Sequence, residues 1–318
     1  MAESTRRLIK PMLPKAFGLW KMFRMVPVLS WSATSFALGI GPAVGWSTSA
    51  QINWWYAALV VLSGLVLHGI TAHACNDLVD WRSGTDRVSP GILSGGSGVI
   101  KNGLLSERQL MFICLAGLLL PVAAGLYLSS RLGPLVFVFL LTGVWSGLSY
   151  TLPPFRLSYR PLLGEWLSAF PTILCCTTGS FFILTGHMTI EVASAGIIHG
   201  FFSLGWLMQH HLPDMDADLS ASPPKVTTPA FLSRRWGPGS ARLVPAGYCA
   251  LAALAGLWAG ISIDPVFLIV LPFAAFCIYL AAATDPRNVA SITIREKKMV
   301  LLTSGHAALL ALLLGLGW

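Results

Sequence analysis

The stretch from Trp54 to Asp80, WWYAALVVLSGLVLHGITAHACNDLVD, decides the fold class. Its residues 54–75 contain no Asp, Glu, Lys or Arg, and a helix of that length spans the roughly 30 Å hydrocarbon core of a bilayer. Asn76, Asp77 and Asp80 follow at once. The stretch therefore predicts a transmembrane helix that ends in a cluster of oxygen-bearing side chains.

Similar apolar runs occupy most of the chain, which has 318 residues, 55% of them hydrophobic and 11% charged. Such a composition leaves too little polar surface for a water-soluble globule. The nine runs are residues 26–46, 54–75, 110–128, 133–150, 163–184, 191–209, 243–261, 265–284 and 299–318. We therefore expect an all-α, polytopic membrane protein in which residues 1–25 form an interfacial segment and residues 26–318 form a single domain of nine transmembrane helices.

The positions of the basic residues predict the orientation, because cytoplasmic loops retain positive charge. With the N-terminus in the cytoplasm, every Lys and Arg except Arg131 falls on the cytoplasmic side of nine spans. A missed or surplus span would scramble this division. The net charge of +8 is thus explained by membrane topology, and we expect a lipid bilayer but no nucleic acid as partner.

The cysteines do not suggest a metal site or a disulfide. All six lie within or at the ends of apolar runs, and none forms a CxxC pair. We interpret them as small packing residues.

Two short acidic stretches follow the second and the sixth span, both on the cytoplasmic side. In the first, Asn76, Asp77 and Asp80 share one face of a helix, and in the second Asp214 and Asp218 share a face while Asp216 points away. Solvated loop acids at a helix end are the alternative interpretation, but carboxylates are unfavourable at the negative end of the helix dipole. The matched placement favours two clusters that face each other at one mouth of the bundle.

Facing carboxylates with a nearby amide predict a magnesium site, since Mg²⁺ prefers oxygen ligands and usually joins carboxylates to phosphate oxygens. The predicted metal ligands are Asn76, Asp77, Asp80, Asp214 and Asp218, and the four aspartates are the predicted catalytic residues. Such a site suits a diphosphate group. Basic residues near the clusters are candidates for binding that diphosphate: Arg24, Arg82, Arg156, Arg160 and Lys225.

The first acidic stretch resembles a motif of the UbiA superfamily of intramembrane prenyltransferases, and the resemblance covers nearly the whole chain. The family's NDxxDxxxD motif is approximated by Asn76, Asp77 and Asp80. Gly84 stands at the position of its last Asp, and Asp86 supplies a nearby acid that is a further candidate for the site. This GxD ending, with the GVI turn at residues 98–100, resembles the branch that prenylates 1,4-dihydroxy-2-naphthoate to make menaquinone.

Other segments are similar to the same family. Asp214 and Asp218 match its DxxxD motif, and Lys225 lies near a downstream GKxT. Residues 150–165 are similar to its YTxxPxxLxYxxLGE segment, which adds Tyr150 to the predicted diphosphate-binding residues. The resemblance implies nine helices around a central cavity with a lateral opening to lipid, and Arg24 sits where family members carry an arginine near the diphosphate.

The chain departs from the menaquinone branch beside the second motif. His210 and His211 replace a pair of asparagines, Pro213 replaces an arginine, and Pro223 and Pro224 stand where the glycine of GKxT is expected. These changes leave the acceptor open. Either histidine is a candidate base for an acceptor hydroxyl, and the alternative is a polar pair that caps a helix end.

The sequence therefore predicts an Mg²⁺-dependent prenyltransferase that moves a polyprenyl group from its diphosphate to an aromatic acceptor, 1,4-dihydroxy-2-naphthoate or a related quinone precursor. Phe170 and Trp206 are candidates for the cavity wall, and His73 is a weaker candidate for the site. A UbiA-type terpene cyclase and a transferase with a non-quinone acceptor are the nearest alternatives. A cation-coupled transporter is the alternative from another class, although the acids lie at one mouth rather than at mid-membrane.

Overall fold

The computed structural model of the protein describes residues 14–47 and 52–317, and within these ranges it contains helices and no strands. Eight helices there are long and apolar enough to cross a membrane, and a ninth apolar helix is shorter. In chain order they are α1 (Pro14–Trp46), α2 (Trp54–Ser83), α3 (Glu107–Leu132), α4 (Leu135–Ser149), α5 (Glu165–Thr185), α6 (Ile190–Ser220), α7 (Pro238–Ser262), α8 (Pro265–Ala282) and α9 (Val289–Leu316). The predicted all-α polytopic fold is confirmed.

The N-terminal segment joins the first span. Residues 1–13 lie outside the described part of the chain, and residues 14–23 are helical. At Arg24 the backbone turns left-handed, with φ of 46°, and the helix then restarts at Met25. Phe17 and Trp20 are more than half exposed, as suits side chains in contact with lipid. The interfacial role of residues 1–25 stays a prediction.

Helix α6 forms the centre of the bundle and packs on α1, α5, α7 and α9. Helices α1 and α9 approach each other closely where Gly45 faces Gly315. A Cβ added at Gly45 would lie 1.7 Å from the Gly315 carbonyl oxygen, so only glycine allows this contact between two membrane helices.

Several helices extend beyond the predicted apolar runs. Helix α2 continues to Ser83 and α6 continues to Ser220, with a tight turn at Leu212–Asp214. Both acidic clusters consequently lie on helical backbone. Helix α9 begins at Val289 rather than at residue 299, which brings Glu296 into the bundle.

Three helices contain wide, π-helical turns. These are Val28–Ala33 in α1, Leu67–Ala72 in α2 and Glu165–Ala169 in α5. Each contributes residues to the wall of one cavity, among them Trp31, His68 and Ala169. Wide turns of this kind occur often at functional sites.

One expectation about the cysteines is wrong. The structure joins Cys75, in α2, to Cys114, in α3, as a disulfide with a Cα–Cα distance of 5.9 Å. The two helices pack side by side at this level, and sequence spacing alone does not reveal which span ends are neighbours. The other four cysteines have no disulfide partner in the described residues.

Candidate active site

The first acidic cluster lies in the last turns of α2, where His73–Ser83 is regular α-helix. Asn76 Nδ2 donates to Asp80 Oδ2 at 2.9 Å, as their spacing of four residues predicts. Asp77 and Asp80 are buried. Gly84 then ends the helix with φ of 98°, a conformation that favours glycine.

The second acidic cluster lies at the end of α6. Asp214 and Asp218 are buried and Asp216 is exposed, which agrees with the face predicted for each. Asp218 is 0% exposed, and neither of its carboxylate oxygens accepts a hydrogen bond from the residues that the structure describes.

Lys225 joins the two clusters. Its Nζ lies 2.8 Å from Asp80 Oδ2 and 3.5 Å from Asp218 Oδ1, and its backbone N–H donates to the Asp218 carbonyl. Burial opposes the charge of this ammonium, but the attraction of Asp218 and Asp80 outweighs burial and raises the pKa of Lys225 well above its ordinary value. The predicted meeting of the two clusters at one mouth is therefore present, with a buried cation between them.

Tyr159 also binds the first cluster, since its hydroxyl donates to Asp80 Oδ1 at 3.2 Å. Burial, with the charge of Asp80, raises the pKa of Tyr159 to about 12. We did not predict this residue as part of the site, although it lies in the YTxxPxxLxYxxLGE segment.

A glycine-rich loop, residues 89–98, contacts both clusters. Ser89 Oγ donates to Asp214, while the Ser97 hydroxyl and backbone N–H donate to Asp77. Gly96 has φ of 74°, and a Cβ there would lie 1.9 Å from Asp86 Oδ2. The loop is thus held close against the acids by its own backbone conformation and by two serines that the sequence analysis did not identify.

Asp86 lies beneath this loop and is buried. Burial, together with the negative charge of Asp80, raises the pKa of Asp86 to about 8. Its position beside the first cluster supports its inclusion among the candidate residues.

The predicted basic residues fall into two groups. Arg24 is in the site, because its guanidinium forms an ion pair with Asp77. Arg82 is not, since it pairs with Glu107 at 2.8 Å on the surface and its side chain is 56% exposed.

The two other predicted arginines also lie outside the cavity wall. Arg160 is exposed. Arg156 packs on the Tyr159 ring at 5.6 Å and does not line the cavity. Proximity to the motif in sequence misled these assignments, because it does not determine which way a side chain points.

A cavity of about 180 Å³ opens between the two clusters and extends into the bundle. Its polar mouth is lined by Arg24, Asn76, Asp80, Asp86, Tyr150, Asp214 and Lys225, and its deeper wall includes Trp31, His68, His73, Ile173 and Trp206. Trp206 lies in the wall, as expected for a lining residue, and His73, the weaker candidate, also lines the cavity. Phe170 is not part of the wall, because it packs against Trp166 and Phe201.

A second, apolar cavity of about 90 Å³ adjoins the first between α2, α3, α4 and α5. The two cavities share five lining residues: Gly64, Leu67, Gly143, Thr172 and Cys176. Together they connect the acidic mouth to an apolar interior.

The two histidines of α6 have different partners. His211 Nε2 lies 3.2 Å from the Tyr150 hydroxyl, and its Nδ1 lies 4.0 Å from Asp218. Burial raises the pKa of Tyr150 above its ordinary value, so its hydroxyl stays protonated. His210 turns the other way and binds Glu296 of α9 at 2.6 Å. Glu296 was not predicted to be in the site. The sequence feature that could have identified it is its position as a single acid between Arg295 and the lysines Lys297 and Lys298.

The carboxylates of the two clusters pair with several different side chains and do not converge on one ion-binding position. In the described ranges, no three His, Cys, Asp or Glu side chains are close enough to share one ion. Arg24, Lys225 and the loop serines occupy the carboxylates instead.

We expect Arg24 and Arg82 to differ sharply in their effect on donor binding. Arg24→Ala should raise the KM for a prenyl diphosphate, because a partly buried guanidinium at the mouth is lost. Arg82→Ala should leave KM within about twofold, because an exposed charge is screened by solvent and salt. The measurement is the rate of diphosphate release against donor concentration, and equal KM changes would contradict the placement of the two residues.

Comparison with known proteins agrees with this architecture. The model of the UbiA prenyltransferase family matches residues 39–302. A UbiA homolog from Archaeoglobus fulgidus bound to GPP and Mg²⁺ is similar over 92% of this chain and 99% of that chain, with a TM-score of 0.63 and 15% identity. A structure of such a homolog bound to DMAPP and Mg²⁺ gives a TM-score of 0.64 and 16% identity, covering 91% and 98% of the chains. At these identities the likeness shows the fold, and no curated protein matches the chain significantly.

Proposed function

Because this chain belongs to the UbiA prenyltransferase family, we propose that it transfers a polyprenyl group from its diphosphate to an aromatic acceptor, at the cytoplasmic mouth of the bundle. The observation that carries this proposal is the meeting of two buried aspartate clusters around Lys225, at the entrance to a cavity with apolar and aromatic walls. Positive charge confined to one side of the spans supports the cytoplasmic location.

The side-chain types at the mouth suit a divalent cation, although the described carboxylates are not gathered around one point. Carboxylate and amide oxygens are its preferred ligands, and the buried Asp218 has two oxygens without a hydrogen bond in the described chain. We infer that Asn76, Asp77, Asp80, Asp214 and Asp218 would hold Mg²⁺. When bound, Mg²⁺ offsets the negative charge that develops on the departing diphosphate.

The chain's own groups have separate tasks in this proposal. Arg24, Lys225 and Tyr150 line the mouth and bind the diphosphate by charge and hydrogen bonds. The apolar cavity that adjoins the main cavity accepts the isoprenoid tail and keeps water from the allylic carbon. The aromatic wall formed by Trp31 and Trp206 receives the acceptor, which we propose to be 1,4-dihydroxy-2-naphthoate or a related quinone precursor.

The test is to incubate purified protein with Mg²⁺ and farnesyl or geranylgeranyl diphosphate, with and without 1,4-dihydroxy-2-naphthoate. We expect Mg²⁺-dependent diphosphate release and a prenylated product identified by its mass. Release without acceptor that yields a cyclic hydrocarbon would instead indicate a terpene cyclase. The absence of Mg²⁺-dependent release with any donor would contradict both assignments.

A further inference from the structure

Glu296 is a buried carboxylate that the donor site does not use. It lies on α9, is 1% exposed, and its Oε1 is 2.6 Å from His210 Nδ1. Its other oxygen has no hydrogen-bond partner in the described residues. A buried carboxylate with so few partners is costly to the fold, so stability does not account for its place beside a histidine.

The contact with Glu296 determines what His210 offers to the cavity. A carboxylate accepts hydrogen bonds, so Nδ1 carries the hydrogen, and in the neutral imidazole the lone pair then lies on Nε2. His210 lines the main cavity and its side chain is 15% exposed. No described residue hydrogen-bonds to Nε2. The arrangement repeats the logic of a carboxylate that orients a histidine base.

The cavity beside His210 has an aromatic wall. The Trp206 ring lies 5.6 Å from the His210 ring and 5.9 Å from the Trp31 ring, nearly perpendicular to the latter. Both indole N–H groups are buried, and neither has a partner in the part of the chain that the structure describes. A planar aromatic ring would pack on the faces of these two side chains.

We propose that His210 is the base that accepts a proton from a hydroxyl group of an aromatic acceptor, and that Glu296 is its positioning residue. This inference rests on the proposed function and names the residues that would activate the acceptor in that reaction. His211, one residue later, points about 100° away around the helix and contacts Tyr150 and Asp218. The two histidines therefore serve the two halves of the site separately.

The proton balance of the reaction follows from this assignment. The acceptor O–H proton moves to His210 Nε2, which makes the ring carbon beside the oxygen a stronger nucleophile. That carbon forms the new C–C bond while the allylic C–O bond breaks and its electron pair leaves with the diphosphate. A ring carbon that carries hydrogen, as in 4-hydroxybenzoate, then loses that proton to water, whereas the carboxylate-bearing carbon of 1,4-dihydroxy-2-naphthoate loses CO₂ instead. In both cases the imidazolium returns its proton to the oxygen. Diphosphate therefore leaves together with one proton from the first acceptor and together with CO₂ from the second.

The test separates the acceptor half from the donor half. We expect His210→Ala to slow prenyl transfer to 1,4-dihydroxy-2-naphthoate or 4-hydroxybenzoate, whichever gives product with the wild type, by about 10²–10⁴-fold. Acceptor-independent release of diphosphate should remain at the wild-type rate. Added imidazole should restore part of the transfer rate in His210→Ala. Glu296→Gln, which preserves shape, should lower kcat for transfer without changing the KM for the donor.

His306→Phe is the matched control. This histidine is buried between Phe202 and Phe273, at ring distances of 4.1 Å and 6.2 Å, and it does not line the cavity. It should transfer at the wild-type rate. The proposal is wrong if His210→Ala transfers normally, if it loses diphosphate release equally, or if the wild type releases diphosphate but prenylates no hydroxyl-bearing aromatic. Failure of the wild type to release diphosphate from any donor would instead overturn the proposed function on which the inference rests.

Discussion

Replacing Asp218 with asparagine is expected to slow diphosphate release by roughly 10³-fold, while replacing Asp216 with asparagine should leave the rate unchanged. Asp218 is fully buried, and both its oxygens lack hydrogen bonds in the described chain. An amide of the same shape removes the negative charge that would hold a cation there. Asp216 lies two residues away but is exposed. Asp216→Asn is therefore the same chemical change at a position outside the site.

The comparison is made with purified Asp218→Asn and Asp216→Asn under saturating Mg²⁺ and donor. Thermal unfolding of both variants without Mg²⁺ serves as the control for folding, because neutralising a buried carboxylate also relieves its desolvation. Equal rates in the two variants would contradict the two-cluster site, since one of its carboxylates would then be dispensable.

Lys225→Met is expected to destabilise the metal-free protein by about 3–5 kcal/mol, the usual result of leaving buried charges without their partner. Asp80 and Asp218 would face each other without the ammonium that lies 2.8 Å and 3.5 Å from them. Added Mg²⁺ should recover part of the loss, because a cation that binds between the carboxylates of the folded state stabilises that state by RT ln(1 + [Mg²⁺]/Kd).

The matched control is Lys298→Met, an exposed lysine that should change stability by no more than about 0.5 kcal/mol. The free energy of unfolding is measured in mixed micelles with increasing denaturing detergent, with and without Mg²⁺. An equal loss in both variants, or a loss in Lys225→Met that Mg²⁺ leaves unchanged, would show that Lys225 does not stand between two metal-binding carboxylates.

The fold was predictable because membrane-spanning helices can be identified from their apolar composition. The length of the apolar runs and the one-sided distribution of Lys and Arg together predicted nine helices, and α1 to α9 correspond to these runs. The helix ends were less predictable. Apolar runs mark where a helix is in lipid, whereas α2 and α6 continue through their polar ends.

The acidic half of the site was also predictable, because helical spacing places Asn76 with Asp80 and separates Asp216 from Asp218. The basic half was not. Arg82 and Lys225 both lie near a motif, yet only Lys225 turns into the bundle. Which way each side chain points depends on neighbouring helices, and local spacing does not contain that information.

Glu296 and the Cys75–Cys114 disulfide illustrate the same limit. Each depends on which two helices are neighbours in space: α6 with α9 for Glu296, and α2 with α3 for the cysteines. The apolar run of the last span also begins after Glu296, so composition assigned this acid to a loop. Contacts between distant spans become visible only when the bundle is assembled.

The wide turns in α1, α2 and α5 have a consequence for how this cavity can vary over evolution. Each such turn contains one residue more than an α-helical turn and rotates everything beyond it by about 100°. The mouth end and the deep end of each helix can therefore present unrelated faces to the cavity. Substitutions within Val28–Ala33 would leave this offset in place. Deleting one residue there would turn Arg24 relative to Thr34 and the rest of the span, so insertions and deletions, rather than substitutions, set how the two ends of the cavity are aligned.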